Sequence, residues 1–160
     1  MDRRVLIGPG SAARTSYLLA VYWHVHASGD VAPVWTASQS VGGAASIATY
    51  TGAAASPIDV SAVKDAGSGS SFTTASVVTT APNELLLALF FAHSVGGATT
   101  WTVQAPLVAR SNFNNGGSRS MTTADTPQAA AGGSAAFTAT ASGLQNYGLS
   151  CIVALKPKPL

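Results

Sequence analysis

Apolar and polar residues alternate along most of the chain with the two-residue period of a β-strand. Residues 16–26 place one set of apolar side chains on a single face of an extended segment: Leu19, Val21, Trp23 and Val25. Residues 84–93 are nearly all apolar, which is typical of a central strand covered on both faces. The pattern therefore favours a sheet protein, with Trp23 in its core.

Ten strands are predicted from this pattern, at residues 16–26, 32–38, 45–51, 71–80, 84–93, 99–104, 107–113, 118–124, 135–141 and 147–156. Clusters of Gly, Pro, Ser and Asn predict turns between them, including those at 56–57, 67–69, 132–133 and 142–143. Residues 61–66 allow one helical turn at most, and 128–136 predict a mobile loop. The expected fold is all-β: one antiparallel β-sandwich domain, 1–160, of nine to ten short strands.

Composition narrows the classes of function. The chain of 160 residues is 47% hydrophobic and only 9% charged, with a net charge of +2. This balance argues against a disordered chain and a nucleic-acid-binding protein, and no apolar run approaches the ~20 residues of a membrane-spanning helix. We also expect no signal peptide, because the apolar run near the N-terminus breaks at Gly8-Pro9-Gly10. The single cysteine, Cys151, excludes an internal disulfide and is expected to be buried and inert.

Two histidines are the only metal candidates in the sequence. His24 and His26 lie two positions apart on one predicted strand, so both project from the same face. With His93 or Asp30 as a third ligand they could hold zinc or copper. The alternative, which we favour, is a solvent-exposed strand face, and we expect no metal and no cofactor.

No arrangement typical of an enzyme is present, so the protein is expected to be non-enzymatic. The acidic residues are isolated along the chain, and neither a Gly-x-Ser-x-Gly elbow nor a phosphate-binding loop occurs. Asp59, which follows Ser56-Pro57, is expected to cap or brace a turn.

Aromatic and polar side chains supply the remaining candidates for an interaction site. Trp35 and Trp101 could stack on sugar rings or belong to the core, and the alternation does not decide between these roles. The polar segment 111–120 could contact a partner or form a flexible loop tip, which we favour. The candidate contact residues in and beside it are Arg110, Asn114, Asn115 and Arg119.

Four segments together resemble a β-sandwich module of bacterial and phage proteins. Ser46–Gly52 followed by Ser56–Asp59 resembles a strand ending in Tyr-x-Gly and then an Asn-Pro-Ile-Asp element, with Ser56 where Asn is common. Further segments resemble the module's motifs over residues 15–157: Leu18–Ala27, Ser76–Thr80 with Asn83–Leu86, and Val153–Pro157. The resemblance implies a jelly-roll-like sandwich without catalytic residues, and it places Lys where His24 stands.

Relative to that module, about two strands of ~5–6 residues each are missing at the start of the chain. Either the chain is naturally abbreviated or it is a fragment, and an abbreviated chain is expected to have an open sheet edge, which pairs readily with another chain. We expect residues 1–14 to pair with a neighbouring subunit, with the contact formed by Arg3, Arg4, Val5, Leu6 and Ile7.

The module that the chain resembles occurs in phage virion proteins and in large secreted bacterial proteins. The resemblance therefore implies two possible functions. The first is a structural protein of a phage virion, such as a capsid decoration, fibre-base or tail-associated subunit. Its expected partners are copies of itself in a homo-oligomer or other virion proteins. The second is a carbohydrate-binding or adhesive module of a secreted or cell-surface bacterial protein, with a glycan as its partner. Neither function involves nucleic acid or a membrane.

Overall fold

The computed structural model describes residues 4–7, 19–31, 34, 42–94, 97 and 99–159. Across these ranges the chain is all-β and antiparallel, with no helix, which confirms the predicted fold class. The strands are β1 (Arg4–Ile7), β2 (Ala20–Trp23), β3 (Ala53–Thr73), β4 (Val78–Thr79), β5 (Glu84–His93), β6 (Trp101–Val103), β7 (Val108–Asn114), β8 (Arg119–Gln128), β9 (Gly132–Gly133) and β10 (Thr138–Pro157).

A six-stranded sheet forms the centre of the protein. Its strand order is β3-β10-β5-β8-β7, and β6 pairs with another part of β10. β5 has the bounds that its apolar run predicts, and alternate side chains pack into two clusters on opposite faces. Phe90 belongs to the first cluster and Phe91 to the second. Smaller two-stranded sheets, β1-β2 and β4-β9, flank the central sheet.

Strands β3 and β10 pair with each other along most of their length, and β10 changes partners along its other edge. The start of β10 pairs with the end of β3 at Thr138–Thr140 and with β6 at Ala139–Ala141, whereas Tyr147–Leu155 pairs with β5. Register shifts separate these two parts of β10, and bulges of this kind let one strand pass between layers. Phe72 and Trp101 from one part pack in the first cluster with Phe90 from the other. This arrangement is consistent with a β-sandwich around the first cluster.

Several local predictions are wrong because residues typical of turns lie inside long strands. The predicted turns at 56–57, 67–69 and 142–143 and the helical turn at 61–66 all fall within β3 or β10. Gly67 and Gly69, with φ of 68° and 137°, produce irregularities in the β3–β10 register rather than the end of the strand.

Two further segments have a different secondary structure from the one predicted, and a third lies mostly outside the described residues. Residues 45–51 form no strand, and the segment 128–136, predicted to be a mobile loop, carries β9 paired with β4. Apart from Val34, the strand predicted at 32–38 lies outside the described residues.

The N-terminal strand pairs with β2 of its own chain along one edge, and the expected pairing with a neighbouring subunit stays a prediction. The backbone of Arg4, Val5, Leu6 and Ile7 is antiparallel to Ala20–Trp23, whereas Arg3 lies outside the described residues. Leu19 is buried and Val21 packs against the second cluster, as the alternation predicts. Trp23 is half-buried and Val25 is exposed, so this apolar face extends less far than predicted.

Replacing Gly148 with alanine is expected to lower the free energy of unfolding by about 1–3 kcal/mol, as over-packing does in other cores. A Cβ at Gly148 would lie 2.6 Å from Cδ1 of Phe72, whose ring is fully buried and cannot move into solvent. Chemical denaturation measures the loss. Gly143→Ala is the matched control on β10, because a Cβ there meets no atom within 4 Å. Equal stability of the two variants would contradict this packing.

Candidate functional site

A buried carboxylate on β8 organises the first polar cluster. Arg110 donates two hydrogen bonds to Asp125, from Nε to Oδ2 and from Nη2 to Oδ1, each 2.7 Å long. Tyr50 donates a third from its hydroxyl to Oδ2, at 3.0 Å. The register of β7 on β8 shifts between Ala109 and Ser111, so Arg110 occupies a bulge in the strand.

The electrostatics of this cluster suit a structural role. The guanidinium of Arg110 lowers the pKa of Asp125, and Tyr50 lowers it further. Burial raises the pKa of Tyr50, and the Asp125 carboxylate beside it adds to that effect, so the hydroxyl stays a donor. The carboxylate is ionised and its oxygens already accept three donors, which leaves it a poor base for catalysis.

This cluster also explains the Tyr-x-Gly motif. Tyr50 attaches the segment before β3 to β8, and the hydroxyl of Ser46 donates to that of Ser111 on β7 at 3.1 Å. Gly52 has φ of +79°, a conformation that favours glycine, and its carbonyl accepts a 2.7 Å hydrogen bond from the Lys158 amide. The motif therefore fixes a covering segment to the outer face of the sheet.

A second cluster holds the turn between β4 and β5. Asp59 accepts hydrogen bonds from the amide and hydroxyl of Thr80, at 2.7 and 2.6 Å, which confirms that it braces a turn. Glu84, fully buried, accepts from the amide of Ala81 at 2.9 Å. Sequence reasoning missed Glu84, because an acid at the start of an apolar strand looks like an exposed terminus. The bonds from Thr80 lower the pKa of Asp59, whereas burial raises the pKa of Glu84.

The third cluster contains the two candidate metal ligands. Asp30 Oδ2 lies 2.7 Å from Nε2 of His24 and 3.2 Å from Nδ1 of His26, and it accepts the Ala27 amide at 2.6 Å. That backbone hydrogen bond is the main reason why the pKa of Asp30 lies well below its usual range. Of the two possible third ligands, the structure thus brings Asp30 close to both histidines, on an exposed surface.

His93 lies elsewhere, on β5 opposite Arg119 of β8, and burial lowers its pKa. Within the ranges that the structure describes, no group of three or more His, Cys, Asp or Glu residues could hold a metal ion.

Trp101 lies in the core, which is one of the two roles that the sequence left open, and its ring is not exposed for stacking on a sugar. Its side chain is only 6% exposed, and its ring centroid lies 5.5 Å from that of Phe72 and 6.3 Å from that of Phe90. Its indole Nε1 donates to the hydroxyl of Ser120 at 3.1 Å. The second candidate for stacking, Trp35, lies outside the described residues.

The polar loop between β7 and β8 is a turn held by hydrogen bonds from its own side chains. Asn114 Oδ1 accepts the Gly116 amide at 3.0 Å, and Asn115 Oδ1 accepts the amides of Gly117 and Arg119 at 3.0 and 3.1 Å. Arg119 Nη1 donates to the Ser118 hydroxyl at 2.7 Å. These side chains, like Arg110, therefore have intramolecular roles, and their expected contact with a partner stays a prediction.

Cys151 is buried within the second cluster, as predicted for an inert thiol. Burial raises its pKa to about 12, so the nucleophilic thiolate is scarce at neutral pH.

Exposed apolar side chains concentrate in one segment. Four of the nine large hydrophobic residues that are exposed in the described part of the chain lie between residues 22 and 34: Tyr22, Val25, Val31 and Val34. Val31 and Val34 are each 86% exposed. We call these four residues, which are neighbours in sequence, the apolar surface. Single exposed apolar residues are ordinary, whereas several within thirteen consecutive positions make this segment the candidate for a contact with another protein.

Among the residues described, no helix is long and apolar enough to cross a membrane. A scan against protein-family models, a search of curated proteins and a search of solved structures found no significant match to this chain.

Proposed function

We propose that the chain is a non-enzymatic structural subunit of a phage virion, such as a capsid decoration, fibre-base or tail-associated protein. The observation that carries this proposal is the apolar surface at Tyr22, Val25, Val31 and Val34. In the proposed assembly this surface is buried against a neighbouring copy or another virion protein. Burying a valine side chain contributes about 1.5–3 kcal/mol, which favours association over exposure to water.

The acidic side chains support a non-enzymatic role. Each of the five in the described ranges accepts a hydrogen bond from its own chain: Asp30, Asp59, Asp65, Glu84 and Asp125. These bonds attach turns, strands and a covering segment to the sandwich.

The sequence resemblance and the composition favour a virion over other locations. The module that the chain resembles, including its jelly-roll-like arrangement, occurs in particle proteins as a structural unit. A charged fraction of 9% suits a surface that is extensively covered by partners. The alternative function is a carbohydrate-binding or adhesive module on a bacterial surface. Because Trp101 is buried, sugar binding in that module would depend on other side chains.

Quantitative mass spectrometry of gradient-purified virions, produced by the phage that encodes the chain, tests the proposal. We expect the chain in a fixed ratio to a repeated particle protein. Its absence from purified particles, together with retention on a glycan column, would instead support the carbohydrate-binding alternative.

The double variant Val31→Ser, Val34→Ser is expected to lower incorporation into particles by tenfold or more, which corresponds to about 1.4 kcal/mol of binding free energy. Both side chains are 86% exposed, so their replacement should leave folding intact. Immunoblotting of purified particles measures incorporation. Leu144→Ser is the matched control, since Leu144 is 80% exposed but lies on β10, away from the apolar surface in sequence. Equal incorporation of both variants would contradict a contact at the apolar surface.

A further inference from the structure

We propose that Asp59 and Glu84 share one proton, and that the loss of this proton as pH rises loosens the turn between β4 and β5. The two residues are called the acid pair below. The inference concerns a pH-sensitive device within the fold, and it does not depend on the proposed virion role.

Two consecutive backbone amides hold the carboxyl groups of the acid pair. Asp59 Oδ2 accepts the amide of Thr80 at 2.7 Å, and Glu84 Oε1 accepts the amide of Ala81 at 2.9 Å. Neighbouring amides bring the two carboxyl groups to the same turn. Only 5% of the Asp59 side chain is exposed, and Glu84 is fully buried. Water therefore screens two charges placed here less than it would on an open surface.

One oxygen of the pair lacks a donor. Glu84 Oε2 is buried and has no hydrogen-bond partner among the described residues. An ionised Glu84 would combine this unsatisfied oxygen with a second carboxylate beside it, and both features are costly in a buried site. A protonated Glu84 carries a hydrogen that it can donate to Asp59. One retained proton thus gives the unsatisfied oxygen a hydrogen bond and removes the second negative charge.

The groups around the pair compensate one negative charge and not two. Lys156 on β10 supplies the nearby cation, with Nζ 3.8 Å from Asp59 Oδ1. From the β4–β5 turn, Thr80 and Ala81 offer uncharged donors. Gln128, opposite Glu84 on β8, donates to Thr79 and to the carbonyls of Ala130 and Gly132 instead. The arrangement fits an ionised Asp59 beside a neutral Glu84.

The sign of the pH dependence follows from the two residues. Burial raises the pKa of Glu84, so its contribution to stability is fully present below its ordinary pKa of 4.5 and is lost as pH rises through the raised value. The bonds from Thr80 lower the pKa of Asp59, so its contribution is present above the ordinary 3.8 and is lost as pH falls through the lowered value. The pair therefore stabilises the protein most in mild acid and less at neutral and alkaline pH.

Glu84→Gln tests the shared proton, because the glutamine amide donates to Asp59 at every pH. We expect the variant to melt about 2–4 °C above the wild type near pH 8 and close to it near pH 4.5. Thermal unfolding followed by circular dichroism across this range measures the difference. A gap between the two proteins that does not change with pH would overturn the proposal.

Carbon NMR of the Glu84 carboxyl supplies a second readout that does not depend on folding of a variant. In the wild type we expect titration above the ordinary pKa of 4.5, with a return toward that value in Asp59→Asn, which removes the second carboxylate. Titration of Glu84 at its ordinary value in the wild type would rule out a shared proton. Amide exchange at Thr80 and Ala81, corrected for intrinsic rates, should accelerate as the proton is lost.

Discussion

Trp101→Ala is expected to lower the free energy of unfolding by about 3–5 kcal/mol, the range found for large aromatic residues in protein cores. The indole is 6% exposed and packs in the first cluster with Phe72 and Phe90. Phe72 belongs to the end of β3 and Phe90 to β5, so the ring connects the two parts of the sandwich. Removing it leaves a cavity between them and frees the Ser120 hydroxyl from its indole partner.

Chemical denaturation measures this loss, and Trp101→Phe is the matched control. Phenylalanine retains most of the ring contacts but cannot donate to Ser120, which costs about 1 kcal/mol in addition to the smaller cavity. A stability loss below about 1 kcal/mol for the alanine variant would contradict the core position of Trp101. Loss of saccharide binding without loss of stability would restore the sugar-stacking interpretation.

Arg110→Ala is expected to shift chemical denaturation to a lower denaturant midpoint, because it leaves a buried negative charge without its cation. The Asp125 side chain is 2% exposed and that of Arg110 is 50% exposed. Solvent screening of the exposed guanidinium places the expected shift below that of a fully buried pair. Tyr50 remains as a donor, but it supplies one neutral hydrogen bond in place of two charged ones.

Adding Asp125→Asn to the Arg110→Ala variant is expected to recover part of the loss, since it removes the uncompensated charge. Arg110 lowers the pKa of Asp125, so the pair's contribution is present above the ordinary pKa of 3.8 and is lost as pH falls through the lowered value. The difference between wild type and Arg110→Ala should therefore shrink in strong acid. A difference that is equal at neutral pH and in strong acid would show that the contribution of Arg110 is packing alone.

The sequence predicted those parts of the fold that local patterns determine. β5 has its predicted bounds because both of its faces are apolar, whatever pairs with it. The long strands β3 and β10 were missed because Gly, Ser and Pro within them resemble turn residues. Their continuity depends on pairing between segments that are distant in sequence, such as Ser61 with Val153.

In the polar clusters, too, local sequence predicts some contacts, whereas others depend on residues that are distant along the chain. Bracing by Asp59 was predictable from a carboxylate beside turn residues, although its partner Thr80 was not. The bond between Tyr50 and Asp125 joins residues 75 positions apart, so no local signal reports it. The burial of Trp101 was undecided because β6 is only three residues long, which is too short for alternation to assign a face.

The solution mass of the purified chain, measured by size exclusion with light scattering over a range of concentrations, tests most directly whether the apolar surface is an assembly contact. We predict a discrete oligomer for the wild type and for Leu144→Ser, with dissociation toward monomer in Val31→Ser, Val34→Ser. A wild-type chain that melts cooperatively but stays monomeric at every concentration would contradict self-assembly through this surface.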